Sequence, residues 1–169
     1  MRAEPRVPAE ALSAIRAPLS EGASSVDAPI LQPLGLLLEL AGEAMRARLF
    51  VVQAEGGQEA CLRPDFTVPV TRQHLESGAA SGRYYYEGKA FRASPDHADR
   101  AEEFVQIGLE CFDAKGAATL EADAEIAALA RKSSIAGGRD DLLLWLGDIG
   151  LVAAFVDGLE LAPSLAARL

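Results

Sequence analysis

The chain has 169 residues, of which 50% are apolar and 24% charged, with a formal net charge of −9. That length supports one domain with a sizeable core, and the composition is ordinary for a globular protein. Three lysines in an acidic chain disfavour a phosphate backbone as partner. Two cysteines and two histidines supply neither a disulfide framework nor a zinc cluster.

No window of ~18 apolar residues escapes charge, so no membrane-spanning helix is expected. The most apolar stretch, Leu142 to Ala162, is broken by Asp148, Asp157 and Glu160. The N-terminus lacks the basic-then-apolar layout of a signal peptide. The reading is a cytoplasmic protein without metal or cofactor, with Cys61 and Cys111 as buried apolar side chains.

In chain order, Ala9 to Arg16 is read as a short helix and Asp27 to Gln32 as a short strand between Pro29 and Pro33. Leu34 to Met45 carries apolar residues at 34, 37, 38 and 41, a helical spacing. Arg48 to Ala54 and Gln58 to Arg63 read as a hairpin turned at Gly56-Gly57. Thr67 to Leu75 reads as a helix, with Pro69 in the first turn where proline is tolerated. His74 is placed on its surface.

Two long strands follow, Arg83 to Arg92 and Glu102 to Phe112, joined by the charged loop Ala93–Ala101. His97 sits in that loop and is read as solvated. Leu120 to Lys132 is the clearest helix, with Glu121, Asp123 and Glu125 early and Arg131 and Lys132 late, a charge order that suits the helix dipole. Asp141 to Leu146 reads as a strand and Leu151 to Leu159 as an amphipathic helix. Antiparallel strands interleaved with helices predict an α+β domain over residues 1–169.

Alternation along a strand places Gln106, Gly108 and Glu110 on one face and Val105, Ile107, Leu109 and Cys111 on the other. The second face is core. The first presents an amide and a carboxylate across a glycine that leaves open space. Asp65 and Thr67 repeat the theme after a strand end. Buried carboxylates are costly unless paired, and two of them beside an amide and a hydroxyl suit a ligand ammonium group. Arg92 and Arg100 then suit a carboxylate or phosphate, which the guanidinium fork matches. Spacing alone leaves two readings open: a pocket for a zwitterionic amino acid, or an internal network in which Asp65, Gln106, Glu110 and Arg92 satisfy one another. No catalytic triad is legible.

The segments LRPDFTVPVTR (62–72), RYYYEGKAFR (83–92) and EFVQIGLECF (103–112) resemble the catalytic core of histidyl-tRNA synthetase. The resemblance covers roughly residues 8–160 and implies a class II aminoacyl-tRNA synthetase-like antiparallel sheet flanked by helices. It implies that Arg92 matches the ATP α-phosphate arginine and Arg100 a basic loop residue. It also implies that Asp65, Thr67, Gln106 and Glu110 match the residues that hold the histidine ammonium.

The departures from that family are specific. Asp65 stands where the synthetase has glutamate, Ser94 where a glutamate helps bind adenine, and Val105 where a histidine is usual. The segment that carries the second ATP-binding arginine has no match. The Arg63-Pro64-Asp65-x-Thr67-x-Pro69-x-x-Arg72 version is similar to the regulatory subunit of ATP phosphoribosyltransferase, whose full members are longer than this chain.

That resemblance implies a non-catalytic protein of histidine biosynthesis. It would be a homodimer within a hetero-oligomer, enabling a short-form catalytic subunit and conferring feedback inhibition by L-histidine. Arg92 and Arg100 would then belong to a vestigial ATP site. Two alternatives are a synthetase fragment that still forms the adenylate and a dimerisation module without ligand.

Overall fold

The computed structural model describes residues 2–53, 55–113, 120–161 and 165. Ala54 and Ala162, the ends of two segments singled out above, lie outside the described residues. Among these residues, α-helices and strands follow one another as α1 (Ala9–Ser20), β1 (Ser24–Ser25), β2 (Leu31–Pro33), α2 (Leu34–Ala41), β3 (Val51–Gln53), β4 (Glu59–Leu62), α3 (Thr67–Ser77), β5 (Gly82–Phe91), β6 (Glu103–Phe112), α4 (Leu120–Ala136) and α5 (Ile149–Gly158). This is an α+β chain with two small sheets, ordered β1-β5-β6 and β2-β4-β3.

Antiparallel pairing prevails, but β1 runs parallel to β5, so the first sheet is mixed. Of the expected strand over 27–32 only Leu31 and Gln32 are extended, in β2; β1 ends before it at Ser25, and Pro29 denies the intervening segment a ladder donor. Helix α2 stops at Ala41 because Gly42 turns away at φ +81°, which a side chain would resist. Met45 therefore falls in a short 3-10 segment, Glu43–Arg48.

The core has two parts. Leu34, Leu37, Leu49 and Cys61 fill the space between α2 and the β2-β4-β3 sheet. Ala28, Phe66, Val70 and Tyr86 fill the space between α3 and the β5–β6 pair, where the Phe66 and Tyr86 rings stack at 4.5 Å. Cys61 is fully buried and Cys111 only half-buried.

His74 is not on a helix surface. It is buried, its ring stacks on Phe112 at 4.2 Å, and its Nδ1 lies 2.9 Å from the Tyr84 hydroxyl. Residues 70 and 74 share one helical face, and that face meets the sheet.

Arg63 is the seam between the two sheets. It is buried to 4% exposure, its Nε donates to the Lys89 carbonyl at 2.7 Å, and its Nη1 donates to the Ala28 carbonyl. Its guanidinium lies 3.9 Å from the Phe66 ring centroid. Burial draws the guanidinium pKa down, against a smaller upward pull from Asp27.

At the opposite end of the chain order, the first residues strap the start of β6. Arg2 accepts through its carbonyl from the Glu102 and Glu103 amides (2.7 and 3.0 Å), and the Glu4 amide donates to the Glu103 carbonyl at 2.8 Å. The Glu4 carboxylate takes the Val105 N–H at 2.9 Å.

Helices α1 and α4 lie together over the other face of β5 and β6. Arg16 of α1 forms a two-pronged ion pair with Glu87 at 2.7 and 2.9 Å, which holds that carboxyl below its ordinary range. Arg83 of β5 pairs with Glu125 of α4 at 2.8 Å.

The expected strand over 141–146 is absent: residues 139–148 have no regular structure, and Leu143, Trp145 and Leu146 are more than four-fifths exposed. A strand requires a neighbour to satisfy its backbone, and among the described residues none lies beside this segment. Helix α5 begins at Ile149 rather than 151 because the Asp148 side chain caps the Gly150 N–H at 2.8 Å. It buries none of its residues. Among the described residues, no helix is long and apolar enough to cross a membrane and no cluster of metal-ligating side chains occurs.

Candidate functional site

The long β5–β6 hairpin sets the site. Its register pairs Tyr84 with Glu110, Tyr86 with Gly108 and Gly88 with Gln106. These residues therefore share the face that looks at α3. The turn before α3 adds Pro64, Asp65, Phe66 and Thr67, and the Asp65 carboxylate accepts the Thr67 N–H at 3.2 Å.

Five of the six expected site residues come together here. The Thr67 hydroxyl donates to Glu110 Oε1 at 2.9 Å. The Gln106 amide donates to the Tyr86 hydroxyl, which in turn donates to Glu110 Oε1, each at 3.4 Å. Arg92 donates through Nε to the Pro64 carbonyl at 2.9 Å, places Nη2 3.8 Å from Asp65 Oδ2, and lies 5.6 Å from the Phe104 ring.

Arg100 stands apart, exposed in the loop between β5 and β6. There it helps line a separate cavity of about 270 Å³ with Arg48, Ser94 and His97. His97 is solvated, as expected.

Tyr86 is the member that sequence reasoning missed. The space expected beside Gly108 is filled: a Cβ on that glycine would collide with the Tyr86 ring and hydroxyl. The same device recurs twice. A Cβ at Gly88 would come within 2.7 Å of Arg63 and 2.8 Å of Phe66, and one at Gly82 within 2.5 Å of Tyr84. An aromatic ring covering a strand glycine is a known way to complete a sheet surface, and the Tyr86–Gly108 pair follows once the register is known.

Gly108→Ala is therefore expected to displace Tyr86 and destabilise the chain by about 1–3 kcal/mol, the usual cost of overpacking. An unchanged urea midpoint would show that the ring has room to move.

Burial chiefly, and then the Glu110 charge, push the Tyr86 phenol up from 10.0 to about 12. It therefore stays a neutral donor to Glu110 throughout the physiological range. The sign for stability follows: the unfolded phenol ionises first, so its contribution is complete below pH 10.0 and is lost as pH rises towards about 12. In Tyr86→Phe this alkaline loss is expected to shrink, as urea midpoints recorded across that pH window would show.

The network is nearly closed but not complete. Gln106 Oε1 is buried with no hydrogen-bond partner among the described residues. A buried acceptor of this kind carries a desolvation cost until a donor arrives. Beside it lie a carboxylate and two hydroxyls. The arrangement is rich in acceptors and therefore suits a cationic donor.

Solved structures of class II synthetase type share this fold. A Bacillus halodurans protein described as an ATP phosphoribosyltransferase regulatory subunit/histidyl-tRNA synthetase superposes with a TM-score of 0.61 at 23% identity, over 83% of this chain and 38% of that one. A histidine–tRNA ligase subunit from Alicyclobacillus acidocaldarius superposes with a TM-score of 0.60 at 19% identity, over 82% of this chain and 44% of that one. The fold is thus the class II aminoacyl-tRNA synthetase-like core.

Within that class the chain belongs to the histidyl-tRNA synthetase family, whose model matches residues 9–169. Its curated relatives include ATP phosphoribosyltransferase regulatory subunits. The Brucella anthropi protein is 38% identical over 140 residues, covering 82% of this chain and 36% of the relative. The Mesorhizobium japonicum protein is 35% identical over 165 residues, covering 97% and 43%. The chain thus spans about two-fifths of the length of these relatives.

Proposed function

We propose that this chain is the synthetase-like core of an ATP phosphoribosyltransferase regulatory subunit. It acts in the cytoplasm, in the first step of histidine biosynthesis, and does not itself catalyse a reaction. Its partner is a short-form catalytic subunit, which it activates, and its ligand is L-histidine, which reverses that activation. The similarity to curated regulatory subunits supports the choice of partner.

One observation carries the ligand: the buried, unpartnered Gln106 Oε1 set beside Glu110, Thr67 and Tyr86. A ligand ammonium would supply the missing donor to Gln106 and a counter-charge to Glu110. Asp65, two residues before Thr67, adds a second carboxylate, held by Arg92. Arg92 faces the ligand's carboxylate or a phosphate, and Arg100 reaches the same ligand only if its loop closes. Regulation follows by linkage: histidine shifts activity to the extent that it binds one assembly state better than the other.

The deciding experiment is the activity of a short-form catalytic subunit with and without this chain, and then with L-histidine. Activation that histidine reverses is the expected result. No activation, either by this chain or by a version extended to the length of the relatives, sinks the proposal. Arg92 keeps a second reading in play, a synthetase fragment, and pyrophosphate exchange by the chain would establish that reading instead. Ser94, in place of the adenine-binding glutamate, speaks against it.

A further inference from the structure

Strand β6 has an open edge. The Arg92 N–H donates to the Glu102 carbonyl at 2.8 Å, so in this antiparallel register the even-numbered residues of β6 form the hydrogen-bonded pairs with β5, and the N–H and C=O groups of its odd-numbered residues point the other way. The strap from Arg2 to Glu4 takes those of Glu103 and the N–H of Val105. Beyond it, the outward groups of Ile107 and Leu109 have no partner among the described residues. The side chains of these two residues also floor an apolar groove of about 290 Å³, walled by Ile15 and Leu19 of α1 and by Ile126 and Leu129 of α4.

The same chain carries a segment with the opposite deficiency. Leu142, Leu143, Leu144, Trp145 and Leu146 are all exposed, with Trp145 at 88%. A continuous apolar run of this length is the signature of a strand buried on both faces, which is how parallel strands sit. Exposed apolar surface of this extent marks an unmade contact.

The path between the two is short. Glu125, early in α4, is paired with Arg83, whose register partner is Cys111. Ser133 and Ser134, late in α4, line the groove with Ile107 and Leu109, and Gly137 abuts Ile15. Helix α4 therefore carries the chain back along β6 from its end towards its start. A strand, a returning helix and a second strand parallel to the first make the standard crossover unit. Gly138 sits at φ +96°, free of side-chain constraint, where the chain would swing. The five residues Leu142–Leu146 match the open span Ile107–Cys111.

We propose that Leu142–Leu146 docks as an added parallel strand on the open edge of β6, with one row of its side chains in the α1–α4 groove. The segment is tethered through α4, so it competes at high effective concentration.

Trp145, the one tryptophan, reports the event directly. The full chain is expected to emit at shorter wavelength than in denaturant and to resist acrylamide quenching, equally at all protein concentrations. Ile107→Pro removes an N–H that no described residue uses, so it is tolerated at an edge. It is expected to return the emission to the denatured value. Amide exchange at Leu109 in the unaltered chain needs no variant and is expected to be slow.

Denatured-like emission together with fast exchange at Leu109 overturns the proposal. A blue shift that survives Ile107→Pro assigns the burial to another surface and overturns it too. A blue shift that grows with concentration overturns it in favour of a second copy.

Discussion

Arg63→Ala is expected to unfold the chain at markedly lower denaturant, with a loss of about 3–5 kcal/mol. The Lys89 and Ala28 carbonyls that it satisfies would each be left without that donor in the seam between the sheets, at about 1–3 kcal/mol apiece. The guanidinium's contact with Phe66 goes as well. Such a loss is a large share of the 5–15 kcal/mol that holds a typical domain.

Arg63→Lys keeps the charge but not the fork, and is expected to recover only part of the loss. Urea denaturation of the three proteins measures this. A loss under ~1 kcal/mol for the alanine variant would show that water or rearranged side chains replace the guanidinium. The effect is on the fold: Arg63 joins the strand that leads to Asp65 with the hairpin that carries Gln106 and Glu110, so its removal also loosens the site.

Glu110→Gln tests the site without disturbing the fold. The amide oxygen can still accept from Thr67 and Tyr86, so the hydrogen bonds at 2.9 and 3.4 Å have a near-isosteric replacement. The negative charge is gone. If L-histidine places its ammonium here, affinity is expected to fall by about 10- to 100-fold, the worth of one charge-assisted hydrogen bond of ~1.5–3 kcal/mol.

The readout is the histidine-dependent rise in melting temperature, because a ligand that binds only the folded state stabilises it in proportion to occupancy. A clear rise in the unaltered protein, lost at the same histidine concentration in Glu110→Gln, is the expected pair. An equal rise in both moves the ligand elsewhere, and no rise in either removes it.

Much of the site was legible because it is built on period-two alternation. Gln106 and Glu110 share a face by parity alone, and Asp65 and Thr67 announce themselves as polar residues at a strand end. What brings them together is the hairpin register, and parity cannot supply that. The tyrosines show the limit: Tyr84, Tyr85 and Tyr86 alternate faces, but only the Tyr86↔Gly108 pairing tells which one covers the glycine and donates to Glu110.

His74 fails for a related reason. A helix of modest amphipathicity does not reveal which face meets the sheet, and the Phe112 ring that buries His74 lies far along the sequence. The segment 141–146 reads as a strand from its own residues, but a strand exists only with a neighbour, and local sequence does not carry the neighbour.

The strap from Arg2 to Glu4 also bears on how the polypeptide is made. Its partner Glu102 is 100 residues away along the chain. At ~5–20 residues per second, roughly 5–20 s of translation pass between the two. For that time the leading segment has backbone ready to pair and nothing correct to pair with. Its residues are suited to waiting. Pro5 and Pro8 interrupt any ladder, and Arg2, Glu4 and Arg6 place charge where another nascent chain would add a strand. The same charges become useful once β6 emerges, when Arg2 and Glu4 close on Glu102 and Val105.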